Sequence, residues 1–238
     1  MGVADRSGPT VSQINKAGHT LRRWMRAEIP EGSAVEDALD VVWRWRAAHA
    51  YALTKATMGL RSVVTTERCP LEVSQRLKRM PTILDKLRRQ PNMALATMED
   101  IGGCRAVLET VDQLRQVEQR LKKNRPPLRH RDYIKTPRAS GYRAVHVVVA
   151  YPDWHQHERA IEVQLRTTVM HEWATTVERL SGRLRDDLKS DRGPRPLLTL
   201  MSTISEAMAL EEAGHDVPPD LKLRIAELRA AAVPYIGG

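Results

Sequence analysis

The chain has 238 residues, 42% of them hydrophobic, which is enough for one large or two small domains with a real core. Its 38 Lys and Arg against 29 Asp and Glu leave a formal charge of +9, which points to polyanionic partners such as nucleotide triphosphates or RNA, general solubility being the plainer alternative. Its two cysteines, Cys69 and Cys104, come without a CxxC pair or companion histidines, which excludes a zinc site or disulfide framework and fits a reducing cytoplasm.

Residues 1–17 read as a frayed lead-in with no apolar signal core, and Arg6 stands where myristoylation requires Ser or Thr. No apolar run approaches membrane length, so no membrane association is expected. From about 34 to 64 the pattern is helical, with Val35, Leu39, Val42, Trp43, Ala47, Ala50 and Tyr51 spaced as one apolar stripe. Arg22, Arg23, Arg26, Arg44 and Arg46 interleave with Trp24, Trp43 and Trp45. Such a mixture can stack on RNA bases, but an amphipathic helix with buried tryptophans and a solvated basic face accounts for it more simply.

Residues 71–79 alternate as a strand that puts Arg76 and Lys78 on one face. Pro81 suits the first turn of a helix running to about Arg89, on which Thr82, Lys86 and Arg89 share one surface. This strand-to-helix junction can grip a triphosphate through side chains, and there is no G-x-x-x-x-G-K-[ST] loop to do so by backbone. A second strand is expected within 94–109, clearest at 104–108, with Asp100 at its entrance before Gly102 and Gly103. Taken alone, Asp before a Gly pair is more often a turn residue, though a carboxylate at a strand edge beside permissive glycines can reach a Mg²⁺–phosphate complex. Residues 111–123 form an amphipathic helix, with Val111, Leu114, Val117 and Leu121 at core spacing.

The stretch 131–173 organises the rest. AVHVVVAY and AIEVQLRT alternate with period two across a polar turn at 152–159, as an antiparallel hairpin does. Val145, Val147 and Val149 share one face with Ile161, Val163 and Leu165. The other face carries Tyr142, Ala144 and His146, then Glu162, Gln164 and Arg166. An aromatic ring, an imidazole, a carboxylate, an amide and a guanidinium on one face mark a site. Residues 168–185 are helical; His171-Glu172 fails the H-E-x-x-H pattern because Thr175 stands at the second His, and His155 and His157 read as solvated loop residues. Two further helices are expected at 197–210 and 219–232, either for subunit contact or as a lid.

R-D-Y-I-x-x-P-R-x-S-G-Y-R-A-x-H, E-V-Q-L-R-T-x-x-M-H-E-W-A and the upstream D-I-x-G-x-R motif at 100–105, in that arrangement, resemble the synthetase domain of the RelA/SpoT family of (p)ppGpp synthetases. R-x-K-x-x-x-T-x-x-x-K mirrors the family's ATP-binding segment. The resemblance implies an α/β (α+β) fold of nucleotidyltransferase-like type: a mixed, largely antiparallel sheet of about five strands flanked by helices. It implies ATP binding by Arg76, Lys78, Thr82, Lys86 and Arg105. Asp100 and Glu162 would hold Mg²⁺, with Glu162 also engaging the acceptor ribose and accepting its proton. Acceptor binding falls to Arg138, Ser140, Tyr142, His146, Gln164 and Arg166, with Tyr142 stacking on guanine, His146 meeting phosphate, and Gln164 and Arg166 either contacting phosphate or supporting the site. The chain departs from the longer members at Ser140, where they carry Asn, and at Arg131 and Arg138, where they carry Lys. Arg for Lys keeps the charge but not the geometry.

The expected organisation is a helical segment over 1–70, the synthetase core over 71–190 and C-terminal helices over 191–238. Without the family's His/Asp hydrolase domain, the expectation is a stand-alone cytoplasmic synthetase that makes its product without degrading it. The expected reaction is Mg²⁺-dependent transfer of pyrophosphate from ATP to the 3′-OH of GDP or GTP. Two alternatives stay open: a related toxin that modifies the tRNA 3′ end, neutralised by an antitoxin protein, and a non-catalytic nucleotide- or RNA-binding module. A homo-oligomer is also expected.

Overall fold

Strand alternation in the hairpin sets the architecture, because each strand must bury its aliphatic side and turn its polar side elsewhere. In the computed structural model of the chain the described residues are 8–70, 72–184, 188 and 192–236. The expected strand start at Leu71, helix end at Arg185 and boundary at 190 lie outside them. Five strands form one sheet: β1 (Glu72–Leu77), β2 (Gly102–Leu108), β3 (Arg129–Asp132), β4 (Val145–Pro152) and β5 (Glu158–Thr167). Their order is β1-β2-β5-β4-β3, antiparallel throughout except for the central parallel pair β2–β5. The mixed, largely antiparallel sheet is the one expected. β3 was not foreseen as a separate strand, since its four residues, RHRD, are all polar and carry no alternation of burial type.

Val145, Val147, Val149, Ile161, Val163 and Leu165 join Cys104, Ala106 and Leu108 in one aliphatic face. That face packs against α2 (Ser33–Thr66) and α4 (Val111–Asn124), whose Leu114, Val117 and Leu121 are buried there as predicted. At Gly102 an added Cβ would stand 2.7 Å from Ile161 Cδ1, so the bare glycine lets β2 sit close to β5 beneath α2.

Two helical expectations are corrected. Residues 11–25 are not a frayed lead-in but a capped helix, α1 (Val11–Met25). Thr10 Oγ1 accepts from the Gln13 amide at 3.3 Å and Gln13 Oε1 accepts from the Thr10 amide at 2.8 Å, a T-x-x-Q capping box that satisfies two end donors. On α2 the buried seam is Val35, Ala38, Val42, Trp45, His49, Ala52 and Ala56, spaced alternately by three and four. Trp43, Ala47, Ala50 and Tyr51 are exposed. The seam rich in alanine wins because small side chains let the helix approach both α1 and the sheet. Among the interleaved tryptophans, Trp45 is buried and Trp24 packs partly into the α1–α2 core, while Trp43 is exposed beside Arg46.

The other sheet face is flanked by α3 (Met80–Arg89) at one side and by α5 (Thr168–Leu184) at the other. Behind α5 come α6 (Arg195–Glu212) and α7 (Pro219–Ile236), where two C-terminal helices were expected. Among the described residues no helix is long and apolar enough to cross a membrane.

Candidate active site

The polar sheet face and α3 enclose a cleft of about 700 Å³, within the usual range for small-molecule sites. Register brings its residues together: Arg76 pairs with Gly103, Gly103 with Glu162, Arg105 with Gln164, Gln164 with His146, and His146 with Arg131. Arg76, Lys78, Thr82, Lys86, Asp100, Arg105, Arg138, Tyr142, His146, Glu162 and Gln164 all line the cleft. Eleven of the thirteen candidate residues thus converge from segments up to 88 positions apart, counting from Arg76 to Gln164.

One wall is made by α3 and the entrance to β2. Strand β1 ends at Leu77, so Lys78 is not on the strand as expected; its backbone amide instead donates to the Ile101 carbonyl at 2.8 Å. From there Lys78 Nζ reaches Asp100 Oδ2 at 2.7 Å, and Lys86 Nζ, one helical turn beyond Thr82, reaches Oδ1 at 2.8 Å. Burial favours the neutral acid at Asp100, but the two ammonium groups outweigh it and lower its carboxyl below the usual range. Asp100 is therefore ionised and placed between two cations.

The opposite wall belongs to β4, β5 and the segment leading into β4. Glu162 Oε1 lies 2.9 Å from His146 Nδ1, and Gln164 Nε2 donates to Glu162 Oε2 at 2.7 Å. Burial works to raise the Glu162 carboxyl, yet the His146 hydrogen bond and charge, the Gln164 hydrogen bond and the Lys86 charge together lower it to about 2. His146 Nε2 meets the Tyr142 hydroxyl at 2.6 Å. Tyr142 is 0% exposed, its ring packed edge-on to Tyr133 and near Trp173, with the guanidinium groups of Arg138 and Arg166 over it at 5.5 and 5.2 Å.

These contacts bear on several roles expected from sequence. Both ring nitrogens of His146 face protein partners, the Tyr142 hydroxyl and Glu162 Oε1. With its carboxyl lowered to about 2, Glu162 is a weak base, suited to orienting a hydroxyl more than to removing its proton. The Tyr142 ring lies under Arg138, so a base stacks on it only where that guanidinium moves aside. Ser140 and Arg166 are buried beneath the cleft and do not line it: Ser140 sits beside Gly141 against α6, and the Arg166 guanidinium is turned to Tyr142 and Gln164.

Sequence reasoning did not single out Glu99, Arg129, Tyr133, Glu178 and Ser181, which also line the cleft, and it noted Arg131 only as a departure from the family pattern. Arg129, Arg131 and Tyr133 are two residues apart and share one side of β3 and its extension, the signal that would have found them. On its other side β3 is tied to α4, with His130 Nε2 2.7 Å from Glu118 Oε1 and Arg115 bridging to Asp132 at 2.8 Å. Glu99 then holds Arg131 at 3.0 Å and Arg129 at 2.5 Å across the cleft mouth.

For a metal, two of the carboxylates that line the cleft, Asp100 and Glu162, are held ionised. Among the described residues no group of three or more His, Cys, Asp or Glu could hold an ion alone. Such a donor set fits Mg²⁺, which commonly takes one or two carboxylates and completes its shell with substrate phosphates and water.

Residues 75–180 match a family described as a region found in RelA / SpoT proteins. The GTP pyrophosphokinase YjbM of Bacillus subtilis (strain 168) is 32% identical over 183 residues, covering 71% of this chain and 79% of that protein. The crystal structure of the small alarmone synthetase 1 from Bacillus subtilis bound to its product pppGpp superposes with a TM-score of 0.62 at 26% identity, covering 80% of this chain and 97% of that one. A GTP pyrophosphokinase family protein from Streptococcus pneumoniae superposes with a TM-score of 0.60 at 27% identity, covering 79% and 95%.

Proposed function

The chain belongs to the RelA/SpoT family, and from that premise we propose that it transfers pyrophosphate from ATP to the 3′-hydroxyl of GDP or GTP, giving ppGpp or pppGpp and AMP. The observation that carries this reading is the opposition of two ionised carboxylates, Asp100 and Glu162, in one cleft that also holds Arg76 from β1, Lys78 from the β1–α3 junction and Lys86 from α3.

Each residue has a task that follows from its place. Arg76, Lys78 and Lys86 grip the triphosphate, with the Thr82 hydroxyl beside them on α3. The two lysines exchange their bond to Asp100 for phosphate oxygens, at little net cost in charge-assisted hydrogen bonds. Asp100 and Glu162 would hold a Mg²⁺, which when bound neutralises charge developing on the transferred group. Glu162 accepts a hydrogen bond from the 3′-hydroxyl and aims its oxygen at the β-phosphorus. Phosphoryl transfer through a loose transition state demands alignment more than a strong base, in keeping with a carboxylate held at about 2. Arg131 and Arg138 meet the acceptor's phosphates, and the Tyr133–Tyr142–Arg138 corner receives its base by stacking.

A second reading, transfer to the 3′ end of a tRNA, is favoured by one observation. The acceptor wall ends in arginines open to solvent, with the Arg129 side chain 64% exposed and that of Arg131 36% exposed. A polynucleotide would follow such a rim through its phosphates.

The experiment supplies purified protein with Mg²⁺ and ATP labelled in the γ-phosphate, and offers GDP, GTP and deacylated tRNA in separate reactions beside Asp100→Ala and Glu162→Ala. Label on guanosine nucleotides, lost in both variants, is the expected result. Label on tRNA alone moves the reading to the second acceptor, and label on none leaves a binding module.

A further inference from the structure

Behind the acceptor wall one buried residue dictates the direction of a chain of hydrogen bonds. Arg166 is 0% exposed near the end of β5. Its Nη2 donates to the Tyr142 hydroxyl at 3.0 Å and to Gln164 Oε1 at 3.0 Å. A guanidinium has donors and no acceptor, so both partners must accept. The Tyr142 O–H is thereby directed onward to His146 Nε2, 2.6 Å away. In the neutral form of the ring an accepting Nε2 places the proton on Nδ1, which faces Glu162 Oε1 at 2.9 Å. Gln164, its oxygen turned to Arg166, presents Nε2 to Glu162 Oε2 at 2.7 Å. Each Glu162 oxygen is thus held by a separate arm, and both arms run back to one Arg166 nitrogen, with Arg105 Nη2 a second, longer donor to Gln164 Oε1 at 3.4 Å.

Stability does not explain this arrangement. Arg166 Nε and Nη1 have no hydrogen-bond partner among the described residues, and the guanidinium lies over the Tyr142 ring at 5.2 Å. The ring returns part of the lost solvation, but a buried cation with unsatisfied donors remains costly to fold around.

We infer that Arg166 is a positioning residue: it fixes the tautomer of His146 and the amide orientation of Gln164, and through them aims both oxygens of Glu162 into the cleft. The inference rests on the proposed transfer reaction, in which Glu162 orients the acceptor hydroxyl.

The test joins imidazole ¹⁵N NMR, with His146 assigned by its disappearance in His146→Gln, to steady-state kinetics. Arg166→Met removes the head donor without leaving a buried charge. Tyr142→Phe cuts one arm and keeps both the ring and the guanidinium. The wild-type protein shows a single Nδ1–H tautomer, and both variants show a mixture. In Arg166→Met kcat falls about 10- to 100-fold, as for other outer-shell partners, while KM for ATP stays unchanged because Lys78 and Lys86 lie on the other wall. Arg166→Lys recovers part of both signals, and with Tyr142→Phe it carries the test if Arg166→Met does not fold. An unaltered tautomer in folded variants, or an unaltered kcat, overturns the role. A tautomer change in a protein that labels no acceptor retires the transfer reaction and leaves the positioning standing.

Discussion

The two walls of the cleft are built on opposite plans. The α3 wall is made of long cations on a short helix and the segment just before it, Lys86 and Lys78, paired to one carboxylate by contacts at 2.8 and 2.7 Å that a phosphate can replace. The acceptor wall is a hydrogen-bonded network on two central strands, buried and braced from behind: Trp173 Nε1 donates to the Met201 carbonyl at 2.9 Å and Ser205 Oγ to the Gly141 carbonyl at 2.6 Å. One wall is therefore exchangeable and the other preorganised. In a transfer reaction that division suits a substrate that brings its own charge against one hydroxyl that must be aimed.

The largest expected effect tests the preorganised wall. Glu162→Gln keeps the shape but removes the anion that His146 faces, and kcat should fall on the order of 100- to 1000-fold, the usual loss of an electrostatic anchor. Titration calorimetry should show ATP binding little changed. The same variant carries a pH signature. The Glu162 carboxyl is lowered from 4.5 to about 2 on folding, so it adds stability that is full above the unfolded value and lost as pH falls toward the folded one. Denaturation at pH 5 and pH 3 should show a loss in the wild-type protein that the variant lacks, within a total of about 3 kcal/mol. A variant as acid-sensitive as the wild type would separate the network from Glu162.

A smaller effect tests the brace. Gly141 has φ +87°, and an added Cβ would stand 2.8 Å from Ser202 Cα and 3.0 Å from Ser205 Cβ. Gly141→Ala should therefore cost about 2 kcal/mol through strain and crowding against α6, read as a lower urea midpoint. Acceptor affinity should drop with it while ATP affinity holds. Equal losses on both walls would mean that α6 supports the whole cleft and not one side of it.

The sequence revealed these walls unequally. Parity in 145–149 and 161–165 displayed the hairpin, its buried face and the polar face that bears Glu162, because a half-buried sheet writes its period directly into the chain. The cations of α3 were equally legible from the helical spacing that puts Lys86 and Arg89 on one surface with Thr82. What stayed hidden were partnerships. Nothing in the spacing of Tyr142, His146 and Arg166 says that the hydroxyl bridges the other two, or that the ring lies under Arg138, because these depend on register and on α6 arriving from sixty residues downstream. Strand β3 was missed for a related reason: it is an edge strand whose cleft face and α4-facing side are both polar. Trp43 and Tyr51 misled in the other direction, since two apolar stripes on α2 competed for the core and propensity does not choose between them.

The smallest effect expected falls on the exchangeable wall, and its smallness is the point. Lys86→Ala removes one of two ammonium groups on Asp100 and leaves Lys78, the more buried, in place. KM for ATP should rise about tenfold, the worth of one charge-assisted hydrogen bond to phosphate, with KM for the acceptor and the His146 tautomer both unchanged. Lys86→Arg should recover less than its conserved charge suggests, because a forked guanidinium replaces a point donor that reaches a single carboxylate oxygen. If the acceptor's KM rises with that of ATP, the Lys86 charge that helps to lower the Glu162 carboxyl couples the two walls more tightly than their separate hydrogen bonds imply. The division between an exchangeable and a preorganised wall would then be one of geometry only, not of energy.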